Sequence, residues 1–159
     1  MVALETGTKA PPFRLRDKDG KTWTLDPFKG NDLVLYFYPK ADTPGCTREA
    51  CGFRDDIAAF KELDAQVVGI SPDDPEKLAR FAEKHDLPFL LLSDPDHKVA
   101  ETYGVWKEKS MYGKRFWGIE RTTFLIGADG RISKVYPRVR VNGHVEKVLA
   151  DLQAAMATV

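Results

Sequence analysis

The chain has 159 residues, 43% of them hydrophobic and 30% charged, which is the balance of a folded soluble domain and excludes a disordered chain. Lys+Arg and Asp+Glu both number 24, so no global charge draws the chain to nucleic acid or to a membrane. The longest apolar run, Leu33 to Tyr38, is too short to span a bilayer, and residues 1–10 show no basic flank followed by an apolar stretch. The expectation is one domain over residues 1–159, cytoplasmic, with no nucleic-acid or membrane partner.

Taken in chain order, Phe13–Arg16 and Lys21–Leu25 flank Asp17-Lys18-Asp19-Gly20 and predict an N-terminal β-hairpin around a glycine-containing turn. Leu33–Tyr38, closed by Pro39, suits a strand buried on both faces. Cys46, Ala50, Phe53, Ile57 and Phe60 recur at helical spacing and predict a helix with that face inward. Val67–Ile70 is a second buried strand, followed by Ser71-Pro72-Asp73 and a helix over Pro75–His85. Phe89–Leu92 is a third strand. Thr123–Ile126 turns through Ala128-Asp129-Gly130 into Ile132–Tyr136 as an antiparallel hairpin. Val145, Val148, Leu149, Leu152 and Met156 mark a closing helix.

Residues 105–140 are locally basic, nine basic side chains against three acidic. Lys107, Lys109, Lys114 and Arg115 read as a solvated loop face, weighed above a polyanion site. The nearby Trp106, Tyr112, Phe116 and Trp117 are expected to pack into the core, with a pocket rim as the alternative. Buried strands alternating with helices, plus a late hairpin, predict an α/β fold with a mixed central β-sheet flanked by helices. That order is compatible with a thioredoxin-like core, and periodicity alone leaves a flavodoxin-like fold open.

Two cysteines, Cys46 and Cys51, are spaced C-x4-C, which is neither a C-x-x-C redox pair nor half of a usual zinc site. His85, His97 and His144 are scattered and join them in no ligand pattern; each reads as a surface or satisfied core histidine. Cys46 follows Thr43-Pro44-Gly45 and falls in the first turn of its helix, where free N–H groups and the helix dipole stabilise an anion. Thr43 can hydrogen-bond the sulfur or a substrate. A reactive thiolate is weighed against an inert buried cysteine.

Five helical residues turn a side chain by roughly 500° and place the two Cα atoms about 8.7 Å apart. A disulfide wants them within about 7 Å. A bond between Cys46 and Cys51 therefore excludes an intact helix between them. Cys51 as an incidental helix cysteine stays open.

The run Pro39-Lys40-Ala41-Asp42-Thr43-Pro44-Gly45-Cys46-Thr47, continuing through Glu49-Ala50-Cys51 to Phe53-Arg54-Asp55, resembles the peroxiredoxins of the bacterioferritin-comigratory, or PrxQ-like, subgroup. The likeness extends to Gly7–Phe13, Gly69-Ile70-Ser71, Ser93-Asp94-Pro95, Tyr103–Trp106 and Arg121–Ile126, so it is essentially end to end. Pro-x3-Thr-x2-Cys is specific when joined by the later arginine and weak alone. Arg121-Thr122-Thr123-Phe124 stands where many relatives have Arg-Ser-Thr-Phe, which keeps the hydroxyl.

The resemblance implies a thioredoxin-like fold and thiol-dependent reduction of hydrogen peroxide and organic hydroperoxides without metal or organic cofactor. Cys46 would be the peroxidatic cysteine, Thr43 the peroxide-binding threonine and Pro39 the proline shielding the pocket. Pro44 and Gly45 would support that pocket. Arg121 would hold sulfur and departing oxygen, although by position alone it reads as a strand-end arginine, and Glu49 would orient arginine. Cys51 would resolve the sulfenic acid as an intramolecular disulfide, reduced by thioredoxin or a similar dithiol, so a monomer suffices. A redox-sensing interaction protein and a thiol-disulfide oxidoreductase are the other classes considered; the absence of C-x-x-C weighs against the second.

Overall fold

The structure of the protein is a computed structural model that describes residues 4–157, the side chains of Met156 and Ala157 excepted. Residues 1–3 of the N-terminal stretch 1–10, and the reading of Met156 as a core position, lie outside what is described. Strands β1 (Arg14–Asp17) and β2 (Thr22–Thr24) form the N-terminal hairpin. Asp17 closes its turn: Oδ1 accepts from the Asp19 and Lys21 N–H groups and Oδ2 from the Trp23 indole. Next come β3 (Asp32–Phe37), α1 (Pro44–Asp55), α2 (Ile57–Glu62), β4 (Ala65–Ser71), α3 (Pro75–Lys84), β5 (Leu90–Ser93) and α4 (Lys98–Thr102). The chain ends with β6 (Trp106–Met111), β7 (Lys114–Ile119), β8 (Thr122–Ile126), β9 (Ile132–Tyr136) and α5 (His144–Ala157).

Seven strands make one mixed sheet in the order β2-β1-β5-β4-β3-β8-β9. β3, β4 and β5 are parallel, while β8 runs antiparallel to β3 and β9 antiparallel to β8. This is the mixed, helix-flanked sheet expected from the buried runs. Period-two alternation along β3 sends Val34, Tyr36 and Tyr38 into a core with α1, α3 and α5. Leu33, Leu35 and Phe37 point to the opposite core, with Phe13, Tyr103 and Phe124. Both faces are dry, which explains why β3 is apolar from Leu33 to Phe37 and why the polar side chains of β8 are the two buried threonines Thr122 and Thr123.

Three expectations fail. The helical face from Cys46 to Phe60 belongs to two helices, because the backbone leaves helical geometry at Asp56 (φ −102°, ψ 10°), and Ile57 is only half-buried. The basic stretch after Val105 is no loop: β6 and β7 pair antiparallel as a separate two-stranded ribbon, turning at Tyr112 and Gly113, both at positive φ. Its aromatics do not fill the core. Tyr112 is 97% exposed, Trp117 58% and Phe116 41%, and only Trp106 at the base is half-covered, stacked on His97 at 3.9 Å. An isolated ribbon has no packed face to bury them against.

Candidate active site

The site forms where three chain segments meet at one end of the sheet. β3 ends at Phe37 and releases the loop Tyr38–Thr43, which enters α1. β8 is antiparallel to β3 with Phe37 opposite Thr122, so Arg121, just before β8, lies beside that exit. Arg121 shares its parity with Thr123 and Leu125, which directs it to the α1 side of the sheet. α1 begins behind Thr43, an extended residue (φ −89°, ψ 157°), with Pro44 at its first position. Cys46 therefore occupies the first turn, and Glu49 lies three residues on along the same buried face.

Arg121 joins these groups. Its Nη2 donates to Cys46 Sγ at 3.2 Å and its Nη1 to Glu49 Oε1 at 2.6 Å. Cys46 is 1% exposed and Glu49 is fully buried. The guanidinium fork thus holds sulfur and carboxylate at once, in a setting dry enough to make both bonds strong. Gly45 leaves room for it: a Cβ there would meet Nη2 at 3.2 Å. Burial pushes the Glu49 carboxyl up to about 7, and the Arg121 charge only partly opposes this. Arg121 itself is held in its protonated form by Glu49 and Cys46, against the penalty of its burial.

His144 completes the cluster from the start of α5. Its Nε2 is 2.8 Å from Thr123 Oγ1 and 3.9 Å from Glu49 Oε2, an oxygen without a hydrogen-bond partner. Burial, followed by the Arg121 charge, drives the His144 ring down to about 4 and keeps it neutral. It packs edge-on against Phe53 and Tyr136, so of the two sequence expectations, surface or satisfied core, it is the core one, although it touches the site.

The loop before α1 is pinned from three sides. The Ala41 N–H donates to Asp73 Oδ2 at 2.7 Å. Asp42, at φ 62°, is held by Lys84 Nζ at 3.0 Å and His85 Nε2 at 3.2 Å. Thr43 Oγ1 donates to Lys40 O at 2.9 Å, so its proton goes to the loop backbone, whereas the sequence points to a bond with the sulfur or a substrate. Its lone pairs stay available to accept. Pro39 lies half-buried at the β3 exit.

Cys51 sits apart from this meeting point. It is half-buried on α1, which is continuous from Pro44 to Asp55, and both cysteines are free thiols. The structure brings together Cys46, Gly45, Glu49 and Arg121, with Thr43, Pro39 and Pro44 on the adjoining loop, and leaves Cys51 on another side of an intact helix. Sequence reasoning missed the site roles of Asp42 and Asp73 and the approach of His144 to Glu49. For Asp73 a signal existed, because Ser71-Pro72-Asp73 leaves the strand parallel to β3 at the same end, where α/β sheets gather their sites.

A family model described as "AhpC/TSA family" matches residues 6–135. A Bacillus subtilis protein named peroxiredoxin Bcp is 51% identical over 152 residues, covering 96% of this chain and 97% of its own. The Escherichia coli K12 peroxiredoxin Bcp is 51% identical over 149 residues, covering 94% and 96% respectively. Among solved structures, the Xanthomonas campestris bacterioferritin comigratory protein, described for its alkyl peroxide reduction activity, superposes with a TM-score of 0.88 at 36% identity, over 95% of this chain and 99% of that one.

Proposed function

The chain belongs to the AhpC/TSA family and is a thiol-dependent peroxidase of the peroxiredoxin kind, and from that premise we propose that Cys46 is its nucleophile and Cys51 its resolving thiol. The observation that carries this assignment is the Arg121 Nη2 to Cys46 Sγ hydrogen bond at 3.2 Å, which offers the sulfur a fixed cation inside a dry site.

Cys46 thiolate attacks the terminal oxygen of a hydroperoxide. An S–O bond forms, the O–O bond breaks, and the hydrogen stays on the transferred oxygen, so Cys46 becomes a sulfenic acid. The electron pair of the O–O bond leaves on the departing alkoxide, which takes a proton from water. Arg121 is placed to hold sulfur and developing oxyanion together, because its fork already spans Sγ and a carboxylate oxygen. Thr43 accepts from the peroxide hydroxyl and Pro39 keeps water off the sulfur, with Pro44 and Gly45 fixing the turn that presents Cys46. Glu49 orients Arg121. No metal or organic cofactor takes part in these steps.

Resolution needs movement. Cys51 thiolate must displace hydroxide from the sulfenic sulfur, giving water and a disulfide, and the helix between the two residues forbids the contact. The first turns of α1 therefore unwind before the bond forms. A dithiol reductant, which we assign to thioredoxin, then exchanges with the disulfide and returns two thiols. All of this occurs within one chain, so we read the protein as a monomer. No described helix is long and apolar enough to cross a membrane, and a cycle that depends on reduced thiols fits the cytoplasm.

The test is peroxide consumption with a thioredoxin system. Cys46→Ser is expected to abolish it, while Cys51→Ser should give one oxidation per chain and then stop. Turnover by Cys46→Ser at the wild-type rate contradicts the assignment.

A further inference from the structure

The β6–β7 ribbon is used by none of these steps, yet it leads directly into Glu120 and Arg121. Its base is anchored: Ile119 is buried and Trp106 stacks on His97. Its outer half pairs only with itself. Cross-strand register sorts the side chains into two faces. Lys109 opposite Phe116 and Met111 opposite Lys114 share one face, which has no acidic group; Trp117 opposite Glu108 and Ser110 opposite Arg115 share the other. Glu108 is in turn paired with Arg115 at 3.6 Å. Tyr112 caps the turn, almost wholly in solvent, and Met111 is 57% exposed.

The tip therefore exposes apolar side chains on both faces and at its end, with cations interleaved among them. A protein partner would cover one side of such a projection and leave the other wet. A bilayer interface surrounds it. Tryptophan and tyrosine seat at headgroup depth, lysine and arginine stems reach past apolar neighbours to the phosphates, and anionic lipid complements the charge. From the Lys109–Phe116 pair to the turn the ribbon is about 10 Å long, which matches the depth of the headgroup and upper acyl zone.

We propose that the β6–β7 ribbon is a docking tip for anionic phospholipid bilayers, inserting Tyr112, Phe116 and Trp117 while Lys114 and Arg115 meet the headgroups. This departs from the expectation of no membrane partner, which rested on a net charge of zero and on the lack of an apolar run long enough to span; the basic excess is local to this region and surface docking needs no span. Docking sets the Cys46 pocket near the lipid surface, since β7 runs through Glu120 into Arg121, which bonds Cys46 Sγ at 3.2 Å. The proposal stands apart from the peroxidase chemistry and is tested separately.

The experiment is flotation of the full-length reduced protein with vesicles of phosphatidylcholine alone or mixed with phosphatidylglycerol, at low and high salt. Wild type should float with the mixed vesicles at low salt, be released by high salt, and have its tryptophan emission quenched by brominated acyl chains. Tyr112→Ala with Trp117→Ala, and separately Lys114→Glu with Arg115→Glu, should each weaken binding by roughly tenfold or more. Hydrogen peroxide turnover should be unchanged in both variants, which also reports that they fold. Failure of wild type to bind the mixed vesicles at low salt, absence of acyl-chain quenching, or binding indifferent to both double substitutions would overturn the proposal. So would a concentration-dependent dimer in the absence of lipid that the same substitutions disperse, since the tip would then be a contact between copies.

Discussion

The middle of the sheet and the first turns of α1 are equally shut off from water, but one is built of hydrocarbon and the other of charge. In the sheet, Leu35, Ile70 and Phe124 are fully buried across three adjacent strands, and Phe124 lies between the rings of Phe37 and Tyr103. In α1, Cys46 and Glu49 are as deeply buried, and their hydrogen bonds run to one guanidinium. Apolar contact is non-directional and survives small motions of the backbone. A buried ion pair loses most of its value once geometry fails, and its members regain hydration when they reach water. The stretch from Cys46 to Cys51 holds both contacts to Arg121 and is the stretch that a Cys46–Cys51 bond would unwind, so the fold can keep its global stability in one place and its willingness to open in another.

Substitutions should separate the two regions. The largest effect on the folded state is expected from Phe124→Ala, which should cost about 3–5 kcal/mol in denaturant unfolding by leaving a cavity between packed rings. Disulfide formation after peroxide should nevertheless proceed at the wild-type rate in the fraction that stays folded. Equal slowing of disulfide formation would mean that sheet and helix open as one unit.

The converse is Arg121→Lys. It keeps the charge and loses the planar fork, so peroxide-dependent oxidation of Cys46 should slow by roughly a hundredfold in stopped-flow measurements. The denaturation midpoint should move far less than in Phe124→Ala. If Lys restores nearly full rate, a point charge suffices and the two-armed geometry is incidental.

A smaller effect, graded with pH, is expected from Glu49. Its carboxyl sits near 7 in the helix against an ordinary 4.5, raised chiefly by burial, while Arg121 and the neutral His144 are the groups that face it. Unwinding returns it to water and to its ordinary value. Below 4.5 both forms are protonated and the wound helix keeps this contribution in full; between 4.5 and 7 unwinding releases a proton, so the contribution is lost as pH rises through that window. Amide exchange of Thr47–Cys51 should accelerate with pH beyond the intrinsic chemical rate, and Glu49→Gln should remove that excess. An excess that persists in Glu49→Gln would assign the pH dependence to another group.

Much of the sheet can be read from the chain because β3, β4 and β8 are built around the apolar runs Leu33–Phe37, Val67–Ile70 and Phe124–Ile126, and such runs have few ways to be buried. The position of Cys46 in the first turn of a helix is equally readable, since Pro44-Gly45 precedes it and Ala50 and Phe53 follow at helical spacing. The ribbon is not readable. Trp106–Met111 lacks an apolar face because no element covers it, and its turn uses Tyr112 in a left-handed conformation that composition does not announce. Arg121 is a third case. Its contact with Cys46 spans the chain from α1 to the start of β8 and depends on an antiparallel register that periodicity does not set, so only the family likeness pointed to it. His144 was rightly expected to be satisfied, but its approach to Glu49 requires α5 to pack on α1, where Gly52 lets Val145 come close.

The central claim is that an intact α1 and a bond between Cys46 and Cys51 exclude one another. Hydrogen exchange read by mass spectrometry, on reduced protein and on protein treated with one equivalent of peroxide, tests it directly when the disulfide is mapped in the same sample. The account predicts an intrachain Cys46–Cys51 bond together with loss of amide protection between Pro44 and Cys51, while β3 and β8 stay protected. A mapped Cys46–Cys51 bond with α1 protection unchanged would contradict it.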